Sequence, residues 1–326
     1  MRILVTGANG YLGSAVVRTL CASGHEVVGL VHRGRSRVPA GIAIRTADLG
    51  DQNALGTALR DVDLVCHLAG LTRVRESFAE PLDYFAVNVG GTVTLLRAMA
   101  AAGVHRLVFA STASIYGTPT RQPMPEHLID DPQHPYAASK QAAEAVIAAQ
   151  AATGRLDATV LRLFNIAGGP DPDDTRILSR ILAVAGGTDP ALIVNGDGTA
   201  VRDYLHRDDA ARAFDAVVAG LPQPGRHRRY NIGTGVGTSV NDLVAVAARV
   251  TGRRIPVEYR AAAPEPQRLI SDSRRAHAEL GWSPKSSDID TIIADAWSAR
   301  SSIASHGNDA PGSPPPHWPR RPPARH

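Results

Sequence analysis

Three glycines follow the first apolar run of the chain and strongly limit its fold. Residues 3–6 have the pattern of a short β-strand, Gly7, Gly10 and Gly13 mark a turn, and residues 15–22 have the pattern of a helix. In a strand, turn and helix of this kind, backbone N–H groups and the helix dipole meet a pyrophosphate. The segment therefore predicts a dinucleotide site.

Strand-like runs alternate with helical patterns over residues 1–165. Strands are predicted at 26–31, 42–45, 63–67, 106–110 and 158–163, and helices at 52–59, 87–102 and 136–152. This alternation predicts an α/β fold: a Rossmann-type doubly wound parallel sheet. The alternation weakens beyond residue 165, which predicts a smaller substrate-binding domain over 166–300. Residues 203–233 are expected to return to the sheet, so the two domains would interleave.

Composition excludes several classes of protein. Half of the formal net charge of +4 comes from residues 301–326, and aromatic residues are only 5% of the chain, so a nucleic-acid surface is not expected. Those last residues contain seven prolines and are predicted to be disordered. The twelve histidines lack metal-ligand spacing, which predicts no metal.

The location is predicted from the cysteines and the apolar runs. Cys21 and Cys66 lie in a helix-like and a strand-like segment, which favours reduced thiols and a cytoplasmic protein. We expect no export signal, because glycines interrupt the N-terminal apolar run. We also expect no membrane segment, because the apolar stretches are interrupted well before membrane-spanning length.

A tyrosine and a lysine four residues apart form the second informative pattern. Tyr136 and Lys140 share one face of a predicted helix, and a cation within about 4–6 Å lowers a phenol pKa by roughly 1–3 units. Such a phenol can act as a general base near neutral pH. Ser111, Thr112 and Ser114 follow the strand at 106–110, at the carboxyl edge where doubly wound folds bind ligands. Tyr136, Lys140 and a hydroxyl of this segment are therefore the candidate catalytic groups.

The motifs together resemble the extended short-chain dehydrogenase/reductases. The similarity runs in order over residues 1–300, and within that family it is greatest to nucleotide-sugar 4-epimerases of the UDP-glucose 4-epimerase type. The segments that carry it are 7–13, 48–49, 67–77, 88–92, 111–117, 135–140, 161–165 and 196–204.

The resemblance implies a reaction. Tyr136 would take the proton from the sugar C4 hydroxyl while hydride moves to the nicotinamide. Lys140 would hold the cofactor ribose and favour the phenolate, and Thr112 would position the sugar oxygen. The 4-keto sugar would turn over and accept the hydride on its other face, so that C4 is inverted and no cofactor is consumed.

The resemblance also implies binding residues and partners. The expected partners are a nucleotide-diphosphate sugar and a second copy of the chain, in a homodimer formed by the helices at 87–102 and 136–152. The cofactor contacts would be Gly7, Asn9, Gly10, Tyr11, Leu12, Gly13, His32, Arg33, Asp48, Leu49, Leu68, Ala69, Gly70, Asn88, Tyr136, Lys140 and Phe164. The substrate contacts would be Thr72, Ser114, Tyr136, Asn165, Arg176, Arg202 and Arg260.

Departures from the family pattern leave alternatives open. The second strand ends in Val31-His32-Arg33 instead of an acidic residue, so NADP stays open beside NAD, which the resemblance favours. Thr72 stands where a phosphate-binding lysine is usual, and Arg260 is displaced by about two positions. A 4,6-dehydratase is disfavoured because Ala113-Ser114 replaces an Asp-Glu pair. A 4-ketoreductase is the main alternative, and a dinucleotide-sensing regulator is disfavoured because Tyr136 and Lys140 are retained.

Overall fold

A large parallel sheet is the main element of the computed structural model, which describes residues 1–32, 34, 38–220, 225–262 and 266–306, with side chains through residue 300. The strands are β1 (Arg2–Thr6), β2 (Glu26–Val31), β3 (Ala43–Thr46), β4 (Leu64–His67), β5 (Arg106–Thr112), β6 (Asp157–Leu163), β7 (Asn165–Ala167), β8 (Leu192–Asn195), β9 (Val201–Arg202), β10 (Tyr204–His206), β11 (His227–Ile232), β12 (Thr238–Ser239), β13 (Val257–Arg260) and β14 (Arg268–Leu269).

Eleven α-helices connect or cover these strands in the described part of the chain. They are α1 (Tyr11–Ala22), α2 (Gln52–Ala58), α3 (Val74–Ala79), α4 (Pro81–Phe85), α5 (Gly91–Ala102), α6 (Pro135–Ala152), α7 (Ile177–Ala185), α8 (Arg207–Ala219), α9 (Val240–Thr251), α10 (Arg274–Leu280) and α11 (Ile289–His306). A π-helical turn at Ala86–Gly90 leads into α5, and a 3₁₀ turn at Ala113–Tyr116 follows β5.

The strand order of the main sheet indicates which edge binds ligands. Its seven strands run β11-β6-β5-β4-β1-β2-β3, and every pairing is parallel. The connections leave β1 in opposite directions, so the strand order reverses between β1 and β4. In open α/β sheets, ligands bind beside such a reversal, at the carboxyl ends of the strands. The predicted fold class, a Rossmann-type doubly wound sheet, is confirmed.

Both faces of the sheet are covered by apolar packing. One core joins α1 and α8 to the sheet through residues such as Val16, Leu20 and Phe214. The other joins α2, α5 and α6 to the opposite face through Leu55, Leu95 and Ile147. Parallel sheets require cover on both faces, which explains why their strands are near-continuous apolar runs.

The predicted boundaries differ from the observed ones at two places that affect the site. Strand β5 continues through Thr112, two residues beyond the predicted end, because Ser111 and Thr112 pair with Arg162 and Leu163 of β6. Helix α1 begins at Tyr11 rather than at residue 15, because Gly10 is extended and Gly13 fits inside the first turn. Thr112 is therefore held by the sheet itself.

Three small sheets and a third apolar core are formed by residues 165–300, since β7 begins at Asn165. The sheets pair β10 with β7, β9 with β12 and β14, and β13 with β8. The core gathers Ile181 of α7, Leu243 of α9 and Ile292 of α11. Of the strands within residues 203–233, β11 lies beside β6 in the main sheet, whereas β10 pairs with β7 in a small sheet. The exact division into domains at residues 165 and 166 stays a prediction, and residues 307–326 of the predicted disordered tail lie outside the described part.

One helical run, Pro81–Ala102, is long and apolar enough to cross a membrane by length and composition. The sequence predicts that every apolar stretch is interrupted before membrane-spanning length, and this run is an exception. It consists of α4, the π-helical turn and α5, and Leu95, Leu96 and Met99 of α5 are buried in the core under the sheet. Core helices of this kind pass the same test of length and composition.

Asp203 ties the small sheets to the loop after β11. This fully buried carboxylate accepts hydrogen bonds from Thr234 N and Oγ1, Gly235 N, and Ser271 N and Oγ, at 2.6–3.1 Å. These bonds hold the three donor residues around a single side chain. Asp203 therefore fixes the backbone beside Arg202, one of the predicted substrate contacts.

We predict that Asp203→Asn lowers the free energy of unfolding by about 2–4 kcal/mol, because the new amide N–H₂ faces donors that it cannot satisfy. Urea denaturation followed by circular dichroism measures this loss. Asp189→Asn, at an exposed position, is the control and should change stability by less than about 0.5 kcal/mol. An equal effect of both variants would contradict the role of Asp203.

Candidate active site

The turn after β1 has a shape that only glycine permits. Gly7 has φ +67°, and a Cβ placed on it would lie 3.0 Å from Ala69 N. A Cβ on Gly13 would lie 2.0 Å from the carbonyl oxygen of Gly7, and Gly10 N donates to the same oxygen at 2.8 Å. The first turn of α1 therefore packs directly on the end of β1, and no side chain caps that helix. An uncapped helix N-terminus above a glycine turn suits a pyrophosphate, so these residues fit a dinucleotide.

The turn after β4 is held against this glycine loop. Thr6 Oγ1 accepts hydrogen bonds from the backbone N–H groups of Leu68 and Ala69, both at 3.0 Å. Asn88 then fixes Leu71: its Oδ1 accepts from Leu71 N at 2.8 Å, and its Nδ2 donates to Leu71 O at 3.0 Å. The same amide nitrogen is 2.9 Å from Ser139 Oγ of α6. Asn88 thus connects the loop after β4 to α6, the helix that carries Tyr136.

The remaining predicted cofactor residues are spread around the cradle. His32 Nε2 lies 3.4 Å from an oxygen of Asp48 at the carboxyl end of β2, and Asn9 Nδ2 donates to Gly34 O. Leu12 and Leu49 pack on the two core faces. Phe164 is buried with Tyr116 and Met124, in a separate small cluster. Arg33 lies outside the described residues.

Tyr136 lies in the first turn of α6 and meets the end of β5. Its phenol lies near the Thr112 hydroxyl, and the imidazole of His134 stacks on its ring with centroids 5.9 Å apart. Burial raises the pKa of Tyr136, while the Thr112 hydroxyl and the charge of Arg176 act in the opposite direction. The predicted lowering of this pKa by Lys140 is therefore not what the structure shows. Desolvation outweighs the neighbouring charges.

Lys140 is buried one turn further along α6. Its ammonium lies 4.0 Å from the centroid of the Phe109 ring on β5. Burial lowers the pKa of Lys140 to about 7, and the carboxylate of Glu144 opposes that effect. Burial therefore favours the neutral amine of Lys140, and an aromatic face and one acidic side chain stabilise the ammonium.

Arg176, one of the predicted substrate contacts, lies where its charge acts on Tyr136. It pairs with Asp171 at 3.1 Å and with Asp173 at 3.6 Å, and its guanidinium carbon lies 5.2 Å from the centroid of the Tyr11 ring. The Tyr11 hydroxyl donates to Gly168 O at 2.5 Å. The glycine loop and the loop after β7 therefore meet at Tyr11.

The other predicted substrate contacts lie at several places. The hydroxyls of Ser114 and Thr112 are 3.1 Å apart, and Thr72 is exposed in the loop after β4. Asn165 is exposed at the start of β7. Arg202 on β9 and Arg260 at the end of β13 belong to two different small sheets.

Several residues around the site were not predicted from the sequence. His134 precedes α6, where its Nδ1 accepts from Ala137 N at 3.1 Å, and the dipeptide His134-Pro135 is a usable signal for such a helix start. Phe109 gave no signal beyond a strand pattern. Glu144 on α6 is buried, with its side chain only 3% exposed.

The fold and these contacts define an α/β protein of the dinucleotide-binding class, with a tyrosine and a lysine at the carboxyl edge of the sheet. Residues 3–233 match the model of the NAD dependent epimerase/dehydratase family. The chain therefore belongs to that family, and the predicted family, enzyme class and cofactor, NAD, are confirmed.

Similar proteins are found along nearly the whole chain. The UDP-glucose 4-epimerase of Streptomyces lividans is 38% identical, with 92% of this chain and 96% of that protein covered. That of Corynebacterium glutamicum is 36% identical, with 95% and 99% covered. The crystal structure of the Stenotrophomonas maltophila enzyme, with bound NAD and formylated UDP-arabinopyranose, has a TM-score of 0.89 at 31% identity, over 94% of this chain and 99% of that one.

We predict that Gly13→Ala removes bound dinucleotide, because the new methyl group would displace the Gly7 carbonyl that shapes the cradle. Dinucleotide released from the denatured protein and measured by chromatography reports the loss. Gly56→Ala is the matched control, since its Cβ would meet nothing within 4 Å in α2. Full retention of dinucleotide by Gly13→Ala would show that the cradle does not bind it.

Proposed function

We propose that this enzyme is an NAD-dependent nucleotide-sugar 4-epimerase that interconverts UDP-glucose and its C4 epimer. The observation that carries the proposal is the proximity of the Tyr136 phenol to the Thr112 hydroxyl, next to the buried Lys140 and on the sheet edge that also holds the glycine cradle. The similarity to UDP-glucose 4-epimerases over more than nine tenths of the chain supports the sugar and the nucleotide.

The chain's own residues supply binding and proton transfer. Gly7, Gly10, Gly13 and the loop of Leu68 and Ala69 would hold the dinucleotide, and Lys140 would bind it from α6. NAD, when bound, supplies the oxidation and re-reduction of the sugar carbon. Tyr136 takes the proton of the C4 hydroxyl and later returns one, while Thr112 holds the sugar oxygen at hydrogen-bond distance.

Tyr136 needs support to act as a base. Burial favours its neutral phenol, so the phenolate depends on the nearby hydroxyl of Thr112 and on the positive charge of Arg176. Arg176 therefore has an electrostatic role in addition to its proposed contact with substrate. Asp171 and Asp173 fix the direction of its guanidinium through ion pairs.

The diphosphate side of the substrate would be held by arginines and small polar groups. We assign Arg202 and Arg260 to the phosphates, since guanidinium groups bind them through paired hydrogen bonds. Thr72, Ser114 and Asn165 are assigned to the sugar and its neighbouring phosphate. Asp203 would support this region, because it immobilises the backbone beside Arg202.

A 4-ketoreductase uses the same tyrosine and lysine but consumes reduced dinucleotide. A 4,6-dehydratase needs an acid for its leaving group, and the 3₁₀ turn after Thr112 begins with Ala113 and Ser114, which offer none. The three reactions separate in one assay: the epimerase converts substrate with no added reductant and forms no 4-keto-6-deoxy sugar.

We place the enzyme in the cytosol, where its nucleotide substrate and NAD would be present. Cys21 and Cys66 are both free thiols, which agrees with a reducing compartment. Fractionation of the native host with an antibody tests this location, and recovery from a secreted or membrane fraction would contradict it.

The enzyme is proposed to act as a homodimer. Phe78 on α3 and Leu82 and Phe85 on α4 expose 63%, 81% and 39% of their surfaces beside α6. An apolar patch next to the two helices predicted to form the dimer would be covered by the second subunit.

We predict that Leu82→Glu converts a dimer to a monomer, because a charge in that patch would have to be desolvated in the interface. Light scattering after size exclusion measures the mass. Ile129→Glu, at a position 88% exposed, is the control and should leave the dimer intact. A wild-type protein that elutes only as a monomer would contradict the dimer.

We predict that Tyr136→Phe lowers kcat for epimerisation by about 10²–10⁴-fold, because the variant has no group to move the C4 proton. Bound NAD should be retained, since the cradle is untouched. Tyr230→Phe is the matched control: its hydroxyl donates to Glu279 at 2.7 Å, away from the site, and kcat should stay within about twofold. Equal rates for wild type and Tyr136→Phe would exclude the proposed mechanism.

A further inference from the structure

Glu144 lies four residues after Lys140 on α6 and is buried among polar groups. Its Oε1 accepts hydrogen bonds from Ser111 Oγ at 2.5 Å and from Arg162 Nε at 3.0 Å. Its Oε2 accepts from Arg162 Nη2 at 2.8 Å and lies 3.1 Å from Arg229 Nε. One carboxylate therefore joins α6 to three neighbouring strands, β5, β6 and β11.

Arg162 completes this junction. Its side chain is fully buried, and it donates to both oxygens of Asp130, at 2.6 and 2.8 Å. Its guanidinium carbon also lies 4.6 Å from the centroid of the Tyr116 ring. The guanidinium is thus paired with two carboxylates, and one of them remains if the other is removed.

The junction contacts both elements that carry the proposed catalytic residues, β5 and α6. Ser111, which donates to Glu144, directly precedes Thr112 on β5, and Glu144 lies on the helix that carries Tyr136 and Lys140. The separation of Thr112 from Tyr136 is set where α6 meets β5. Glu144 belongs to α6 and accepts a hydrogen bond from Ser111 of β5 at this point, so it fixes that separation.

The groups that face Lys140 come from three elements. Phe109 on β5 presents its ring, and His67 on β4 is buried between Thr6 and Thr92, where burial lowers its pKa to about 3 and keeps it neutral at physiological pH. Tyr136 and Glu144 belong to α6 itself. Glu144 is the acidic group whose charge acts on the ammonium of Lys140.

We propose that Glu144 is a positioning residue of the active site: through its bonds to Ser111 and Arg162 it locks α6, and with it Lys140, to the strand of Thr112. The consequence for catalysis rests on the proposed epimerase function, whereas the effect on Lys140 does not. Without the Glu144 charge, the ammonium would be left on an aromatic face in a desolvated site. The neutral amine would then form at lower pH.

The chain permits a direct test, because Lys140 and Lys285 are its only lysines. Protein labelled with ¹³C at the lysine ε-carbon gives two NMR signals, and Lys285 serves as the internal reference. Titration of the full-length protein then yields the protonation midpoint of Lys140. In Glu144→Gln, this midpoint should fall by about one pH unit.

The matched control is Asp157→Asn. Asp157 is buried and pairs with Arg228 at 2.6 Å, between the same strands β6 and β11 but at the end opposite the site. This variant loses a comparable ion pair and should leave the Lys140 midpoint unchanged. Glu144→Asp retains the charge but moves it away from Lys140, because the side chain is one methylene shorter. It should shift the midpoint less than Glu144→Gln and in the same direction. It provides the test if Glu144→Gln does not fold.

The pH dependence of kcat/KM supplies the catalytic readout. Because the ammonium is the active form, a lower pKa of Lys140 moves the alkaline limb of the profile to lower pH in Glu144→Gln. An unchanged Lys140 midpoint, an equal shift in Asp157→Asn, or an alkaline limb that stays in place would overturn the proposal. A shifted midpoint in a protein that epimerises no nucleotide sugar would support the effect on Lys140 and refute the proposed function.

Discussion

The buried contact of Arg162 with Glu144 and Asp130 is the interaction on which the geometry of the site depends. The Arg162 guanidinium and the Glu144 carboxylate are removed from water between the sheet and α6, and both Glu144 and the partly exposed Asp130 pair with Arg162 at 2.6–3.0 Å. Buried ions are tolerated only when their hydrogen bonds are satisfied and directed. That requirement makes the position of α6 on the sheet specific, and α6 carries Tyr136 and Lys140.

Burial acts against the charged forms of both Tyr136 and Lys140. It raises the pKa of Tyr136 and lowers that of Lys140, so neither side chain is activated by its location alone. The charged forms are supported by Thr112, Arg176, Phe109 and Glu144, all fixed by the sheet, by α6 or by ion pairs. A site of this kind is preorganised: its dipoles and charges need little rearrangement when a proton moves.

The main sheet and the shared helical face of Tyr136 and Lys140 could be predicted from the sequence because their signals are local. Apolar runs of strand length alternate with helical patterns, Gly7, Gly10 and Gly13 mark a turn without side chains, and Tyr136 and Lys140 show helical spacing. The extent of β5 to Thr112 could not be predicted, because it depends on pairing with β6, which lies about fifty residues away in sequence.

The electrostatics could not be predicted for a related reason. The sequence suggests that Lys140 lowers the pKa of Tyr136, but desolvation outweighs it, and Arg176 reaches Tyr136 from a loop forty residues away. Glu144 is the single acidic residue of an Ala-rich helix, and only the packed structure shows that it meets Ser111, Arg162 and Arg229. Burial is a property of the folded chain as a whole.

The central claim is that Tyr136, Lys140 and Thr112 serve a cycle in which the sugar C4 is oxidised and re-reduced within one bound complex. The most direct measurement follows the proposed nucleotide-sugar substrate deuterated at C4, incubated with purified protein and no added dinucleotide. The cycle predicts inverted product that retains the deuterium at C4. Loss of that deuterium to the medium, or conversion only when reduced dinucleotide is added, would contradict it.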